Sequence, residues 1–250
     1  MAQSLKLIQN INSSNENITI QARVIYLWTI PSFNNANDVH SLEMVLLDEQ
    51  GGKIQASVKK SLLVIFQTKL AEGQVYNISN FGFGFNNGSY KPTGHEYKIL
   101  FKHLNTVNQV EGASIPIRDF DLKPYNSIVS NNLDTNILVD YIGYLSGISS
   151  TNTFLRDGNQ QKMINIQLED LQKNVLDCTL WNTYADQLRD YFSEHPNRQV
   201  FIVIQFAKIK TFQGVVRISS SLFVTKLHIN SNITEIEDFK QRYVIFLRQN

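Results

Sequence analysis

Trp181, Phe212, Lys208, Lys210 and Arg217 are the side chains of this sequence best suited to hold a ligand. Trp181 lies near the end of VLDCTLWN (175–182), which alternates as a strand does. Leu176, Cys178 and Leu180 fall on one face, and Val175, Asp177, Thr179 and Trp181 on the other. The first face reads as core, so the tryptophan stands on the side that meets water. In AKIKTFQG, period two sets Lys208, Lys210 and Phe212 against Ala207 and Ile209. After the turn, Arg217 alternates with Val216 and Ile218 and so points outward. From His195 to Thr234 there is no Asp or Glu, while Arg198, Lys208, Lys210, Arg217 and Lys226 are all present. Outward rings beside cations can stack planar groups and attract phosphates. Each feature also has a purely structural reading: a tryptophan packed under a loop, a hairpin phenylalanine folded back, a solvated basic face.

Bond-making chemistry has no comparable support. The sequence holds no Gly-rich phosphate loop, no H-E-x-x-H and no G-x-S-x-G. His40, His95, His103, His195 and His228 lack metal-ligand spacing. Cys178 is the single cysteine, on the core face, so it forms neither an internal disulfide nor a cysteine-rich zinc site. Asp48 and Asp170 hold equivalent places in two similar stretches, which points to turns capped by their own carboxylates. No catalytic residue, metal or cofactor is expected, and no enzyme activity.

The 250 residues are 42% hydrophobic and 18% charged, apolar enough for packed cores. A formal charge of +1 excludes polyanion binding by bulk charge and leaves only local patches to do it. MAQSLKLIQNINSS lacks the apolar region of a signal peptide, and no run approaches the roughly 20 residues of a membrane span. The expectation is an intracellular protein with no membrane partner.

Strand-like alternation dominates at 18–28, 42–48, 53–60, 95–102, 163–170, 199–210 and 217–229. Helices are expected at 60–72 and 183–195, the second stopped by Pro196. The halves repeat. Residues 44–60 lie on 164–182, with Ile54 on Leu176 and Ala56 on Cys178; 24–28 lie on 142–146, and 73–81 on 198–206. Each half is three strands, a helix, then two strands. That order predicts an all-β chain with short helices: two tandem OB-folds, five-stranded Greek-key barrels with a helix between strands 3 and 4. The expected boundaries are 1–109, a polar linker at 110–132, and 133–250.

The second half resembles the second single-stranded-DNA-binding OB domain of the replication protein A large subunit. The resemblance rests on VDYIGYLSGI (139–148), LDCTLWNTYADQL (176–188), VIQFAKIKTFQGVVRIS (203–219) and TKLHINSNITEIEDFKQR (225–242). The first half resembles the first such domain through ITIQARVIYLW (18–28), LEMVLLDEQGGKIQASV (42–58) and YKPTGHEYKILF (90–101), in a plant-like pattern. The resemblance implies sequence-tolerant binding of single-stranded DNA in replication, repair or recombination, in the nucleus. Protein-interaction and single-stranded RNA-binding roles are the alternatives, since OB-folds serve all three. It also implies the other replication protein A subunits as partners. The family's zinc-bearing assembly domain has no counterpart in these residues, which argues against the trimer.

By this resemblance Trp181 and Phe212 are base platforms, and Lys208, Lys210, Arg217 and Lys226 serve the phosphates. In the first half Arg23 matches a DNA-contacting arginine and Tyr90 matches the other aromatic position. Lys59, beside Lys60, stands where the repeat has Trp181, so a stack has become a point charge. Trp28 is either a substitute platform or a residue that packs the strand end. Two weak barrels on one strand would gain by effective concentration.

Overall fold

The alternating segments pair as meanders that bury one face. In this computed structural model, residues 5–12, 18–32, 35–130, 132–156 and 158–249 are described. The first unit runs through β1 (Thr19–Ser32), β2 (Asn35–Leu47), β3 (Lys53–Lys59), α1 (Leu63–Phe66), β4 (Val75–Ser79), β5 (Gly82–Phe85), β6 (Tyr97–Leu100) and β7 (Thr106–Val110). Leu42, Met44 and Leu46 of β2 face Val58, Ala56 and Ile54 of β3, all buried. Each such side chain contributes roughly 1.5–3 kcal/mol when fully buried. β3 then pairs in parallel with β6, β6 pairs with β5, and β4 returns to β1. The bend at Asn80, in the left-handed region at φ +59°, makes β4 and β5 one bent strand that closes the ring.

The second unit contains α2 (Tyr125–Val129), β8 (Val139–Ile148), β9 (Asn152–Arg156), β10 (Asn159–Glu169), β11 (Val175–Trp181), α3 (Thr183–Glu194), β12 (Phe201–Phe212), β13 (Val215–Ser219), β14 (Lys226–Ile229) and α4 (Thr234–Gln249). Its ring runs β8–β10–β11–β13–β12 and back to β8, with β11 and β13 parallel. Ile164, Ile166 and Leu168 face Leu180, Cys178 and Leu176, the same inward set as in the first unit. Both units are thus OB-type barrels, as the repeat order implies.

The two aspartates do cap turns. Asp48 accepts the amides of Gln50 and Gly52, and Asp170 those of Gln172 and Asn174. A side chain at Gly52 would meet the Asp48 carboxylate at 2.8 Å, so this turn needs glycine.

Several elements differ from expectation. The 60–72 helix shrinks to a 3-10 turn at Lys60–Leu62 followed by the single α-turn of α1. β-branched Val64, Ile65 and Thr68 favour helix weakly, and one turn already buries Phe66, with Leu70 just beyond it. The 217–229 run splits into β13 and β14. Two helices, α2 and α4, were not legible as such. α4 seats Ile236, Phe239 and Tyr243, at i, i+3 and i+7, on Phe201 and Val203 of β12. Tyr243 donates to Glu169 at 2.8 Å and lies under the Lys173 ammonium at 4.7 Å.

The chain divides between Asp119 and Phe120. Much of the stretch expected as linker is tied to a barrel. Ile115 is buried and its carbonyl accepts from Arg23, Lys53 pairs with Asp119 at 2.9 Å, and Ile128 of α2 joins the second core.

Phe206 sits at φ +59°, the counterpart of Asn80 and a strained conformation for a bulky residue. Buried Asp140 holds it: one carboxylate oxygen accepts the Phe206 amide at 2.8 Å and the other the Asp121 amide at 2.9 Å. Asp140→Ala should lower the free energy of unfolding of the second barrel by about 2–4 kcal/mol, since each amide left without an acceptor costs roughly 1–3 kcal/mol. Urea denaturation checks this, and a loss under about 1 kcal/mol would contradict the clamp.

Candidate nucleic-acid interface

β13 lies between β11 and β12, and its outward residues reach both aromatic platforms. Trp181, at the end of β11, is half-buried. Its indole Nε1–H donates to Ser219 Oγ at 3.0 Å, and its main-chain N–H donates to Ser220 Oγ at 3.0 Å. Phe212 ends β12 and is 58% exposed, with the Arg217 guanidinium 5.5 Å from its ring centroid. Lys208 stands opposite Ser219, and Lys210 opposite Arg217. Period two therefore delivers the arrangement that the sequence suggested.

These side chains line a cleft of about 840 Å³ in the second barrel. Its opposite wall is the β9–β10 hairpin, with Arg156, Gln161, Met163 and Asn165. Phe154 of that hairpin meets Trp181 edge-on, centroids 6.1 Å apart at 78°. No carboxylate lines the cleft among the described residues. Thr179 donates to Asn165 Oδ1 and Asn182 donates to Gln161 Oε1, both at 2.9 Å. These bonds occupy the amide oxygens and leave NH2 groups as donors. The Arg217 Nε–H is buried without an acceptor. The cleft is accordingly cationic and rich in donors, with two accessible rings. A second concavity, about 520 Å³ between α3 and β14, has the opposite sign: Asp186, Asp190 and Glu194 line it.

The remaining sequence candidates are distributed differently. Lys226, on β14 opposite Gln205, is half-buried and lies outside the cleft lining. Arg23 spends its guanidinium on main-chain carbonyls, donating to Ile115 at 2.9 and 2.7 Å and also to Gly73. Lys59 is exposed, whereas Lys60 pairs with Asp38. Tyr90 is half-buried in the loop beyond β5, at φ +66°. Trp28 stacks on Tyr26, centroids 5.1 Å apart at 25°.

Strand register allows the two faces to be compared position by position. Ala56 and Cys178 are equivalent, so Lys59 matches Trp181 and Glu43 matches Asn165. Likewise Gly82 and Gly84 match Lys208 and Lys210, and Leu100 matches Ser219. Glu43 is buried and accepts from Gln55 Nε2 at 2.8 Å and Ser57 Oγ at 2.6 Å. The first barrel thus has neither the two lysines nor the ring of the second, and a carboxylate stands at the centre of its face.

Sequence reasoning missed Phe154, Arg156 and Ser219. The first two share a face at period two in TFLR, but the flanking Ser, Thr, Asn and Gly read as loop. Ser219 shares the face of Arg217 at period two, but a serine hydroxyl by itself carries no binding signal. Cys178 is buried, and burial pushes its thiol well up, with the Asp177 charge adding to the shift. It offers no nucleophile.

A family model described as a domain of unknown function, DUF223, matches residues 9–131. A replication protein A 70 kDa DNA-binding protein of Oryza sativa subsp. japonica is 28% identical over 237 residues, covering 90% of this chain and 24% of that protein. A counterpart from Arabidopsis thaliana is 28% identical over 258 residues, covering 97% and 41%. The counterpart from Xenopus tropicalis is 25% identical over 231 residues, covering 91% and 36%. The chain therefore spans between a quarter and two-fifths of the length of these relatives. A solved structure of a replication protein A heterotrimer bound to single-stranded DNA superposes with a TM-score of 0.63 at 20% identity, covering 96% of this chain and 55% of that one. Over nearly its whole length this chain resembles the 70 kDa DNA-binding subunit of replication protein A, plant forms included.

Proposed function

We propose that this protein binds single-stranded DNA with little sequence preference, chiefly through the cleft of its second barrel. The carrying observation is the cleft itself: Trp181 and Phe212 beside Lys208, Lys210 and Arg217, with no carboxylate among the described residues of the lining. Bases stack on the two rings at roughly 1–3 kcal/mol each, and every base has a π-face, so the stack tolerates any sequence. The cations follow the phosphates, and Lys226 adds charge nearby. Arg156 and Phe154 extend the contact surface along the hairpin wall.

The relatives named as DNA-binding subunits, and the fold shared with a heterotrimer bound to single-stranded DNA, support this reading. By the same likeness the protein serves replication, repair or recombination in the nucleus as a binding protein rather than an enzyme, with other replication protein A subunits as candidate partners. Lys59 and Lys60 supply the first barrel with attraction for the backbone only. Arg23 acts there mainly as a clamp on the 110–119 segment, and Tyr90 and Trp28 contribute little stacking. One observation favours a second reading for that barrel: the buried carboxylate of Glu43, where the second barrel has Asn165, suits a protein contact better than a polyanion.

Two outcomes follow for a fluorescein-labelled poly-dT oligomer, with affinity read by its anisotropy and the protein's tryptophan emission read alongside. Binding should quench emission, and Trp181→Ala with Phe212→Ala should weaken it by at least about 30-fold, because two stacks are lost. Wild-type affinity in that double variant would defeat the proposal. Lys208→Ala and Lys210→Ala should each lower the slope of log affinity against log salt by about 0.7. An unchanged slope would mean that these lysines do not meet phosphates.

A further inference from the structure

We infer that Ser219 is a positioning residue: its hydroxyl fixes the plane of the Trp181 indole so that the ring is ready for a base. The inference rests on the single-strand-binding reading of the second barrel.

Ser219 is buried, and its hydroxyl is used in both directions. Its Oγ accepts the indole N–H at 3.0 Å and donates to the Ser220 carbonyl at 3.3 Å. The rotor is therefore set by the main chain just beyond β13. Ser220 takes the main-chain N–H of Trp181, and the Ser220 amide donates to the Thr179 carbonyl at 2.9 Å. Trp181 is held at its backbone and at its indole nitrogen by two consecutive serines. A half-exposed tryptophan without the second anchor would sample several rotamers and lose that freedom on binding. Fixing it beforehand removes that cost from association.

The first barrel lacks both members of this pair. At the equivalent places in the first barrel, Leu100 stands for Ser219 and Lys59 for Trp181. Where the indole is absent, its hydroxyl acceptor is absent too. Two residues before Ser219 on the same face of β13, Arg217 lies over Phe212. One strand thus orients both platforms.

The test uses the full chain carrying Trp28→Phe, which leaves Trp181 as the one tryptophan of the two. Ser219→Ala should weaken binding of fluorescein-labelled poly-dT, read by anisotropy, about three- to ten-fold, the worth of one hydrogen bond. The salt slope should stay unchanged, since no phosphate contact is lost. The Trp181 indole N–H resonance should shift upfield, and Ser219→Thr, which keeps the hydroxyl, should restore affinity and resonance together. Trp181→Phe keeps a ring and removes the N–H; in that background Ser219→Ala should change affinity less than about two-fold, because the pair acts as a unit. An equal loss in both backgrounds would show that the serine acts through the fold and would overturn the proposal. Unaltered binding by Ser219→Ala alone would overturn it while leaving the single-strand reading intact. Unaltered binding by Trp181→Ala would overturn both.

Discussion

Two paired positions, Cys178 with Ile218 and Thr179 with Ser219, join the third and fifth barrel strands in parallel. Most of the site depends on that short ladder. Without it β13 would be bound only to β12, and the sheet would have an open edge. With it the barrel closes, Trp181 is brought beside Ser219 and Ser220, and Arg217 is carried to the same face. Closure needs a sharp bend in β12, which is why Phe206 occupies a conformation costing about 1–3 kcal/mol. The buried carboxylate of Asp140 holds that bend from outside the strand.

Charge is arranged against a nearly neutral whole. A formal charge of +1 gives little long-range attraction for a polyanion. The second barrel compensates locally, concentrating Arg156, Lys208, Lys210 and Arg217 in one cleft. Asp186, Asp190 and Glu194 are gathered at a separate concavity beside α3. The separation gives the barrel a polarity that a count of charges does not reveal. Cations in a partly enclosed cleft are also screened less by salt than scattered ones.

The two barrels share a backbone and differ in the chemistry of one face. Equivalent aspartates cap equivalent turns, and equivalent bends at Asn80 and Phe206 close both rings. Yet the position of an aromatic ring in one holds Lys59 in the other, and a neutral amide gives way to Glu43. Core positions are constrained by packing on both sides, whereas outward positions are free to change with the ligand.

The inward set Leu176, Cys178 and Leu180, the repeat and the strand order were legible because alternation is a local property of the chain. So were Trp181, Lys208, Lys210 and Phe212 as outward residues. α4 was hidden: its apolar residues are spaced for a helix, but the surface they cover, Phe201 and Val203, is the outer face of a strand buried on both sides. The engagement of Arg23 by Ile115 spans 92 residues, and the pairing of Trp181 with Ser219 spans 38. Which residues face inward and which outward is written locally in the chain, because the pleat assigns sides every second residue. Which outward residues meet is a property of the closed barrel, because closure sets the register between strands that are distant in the chain.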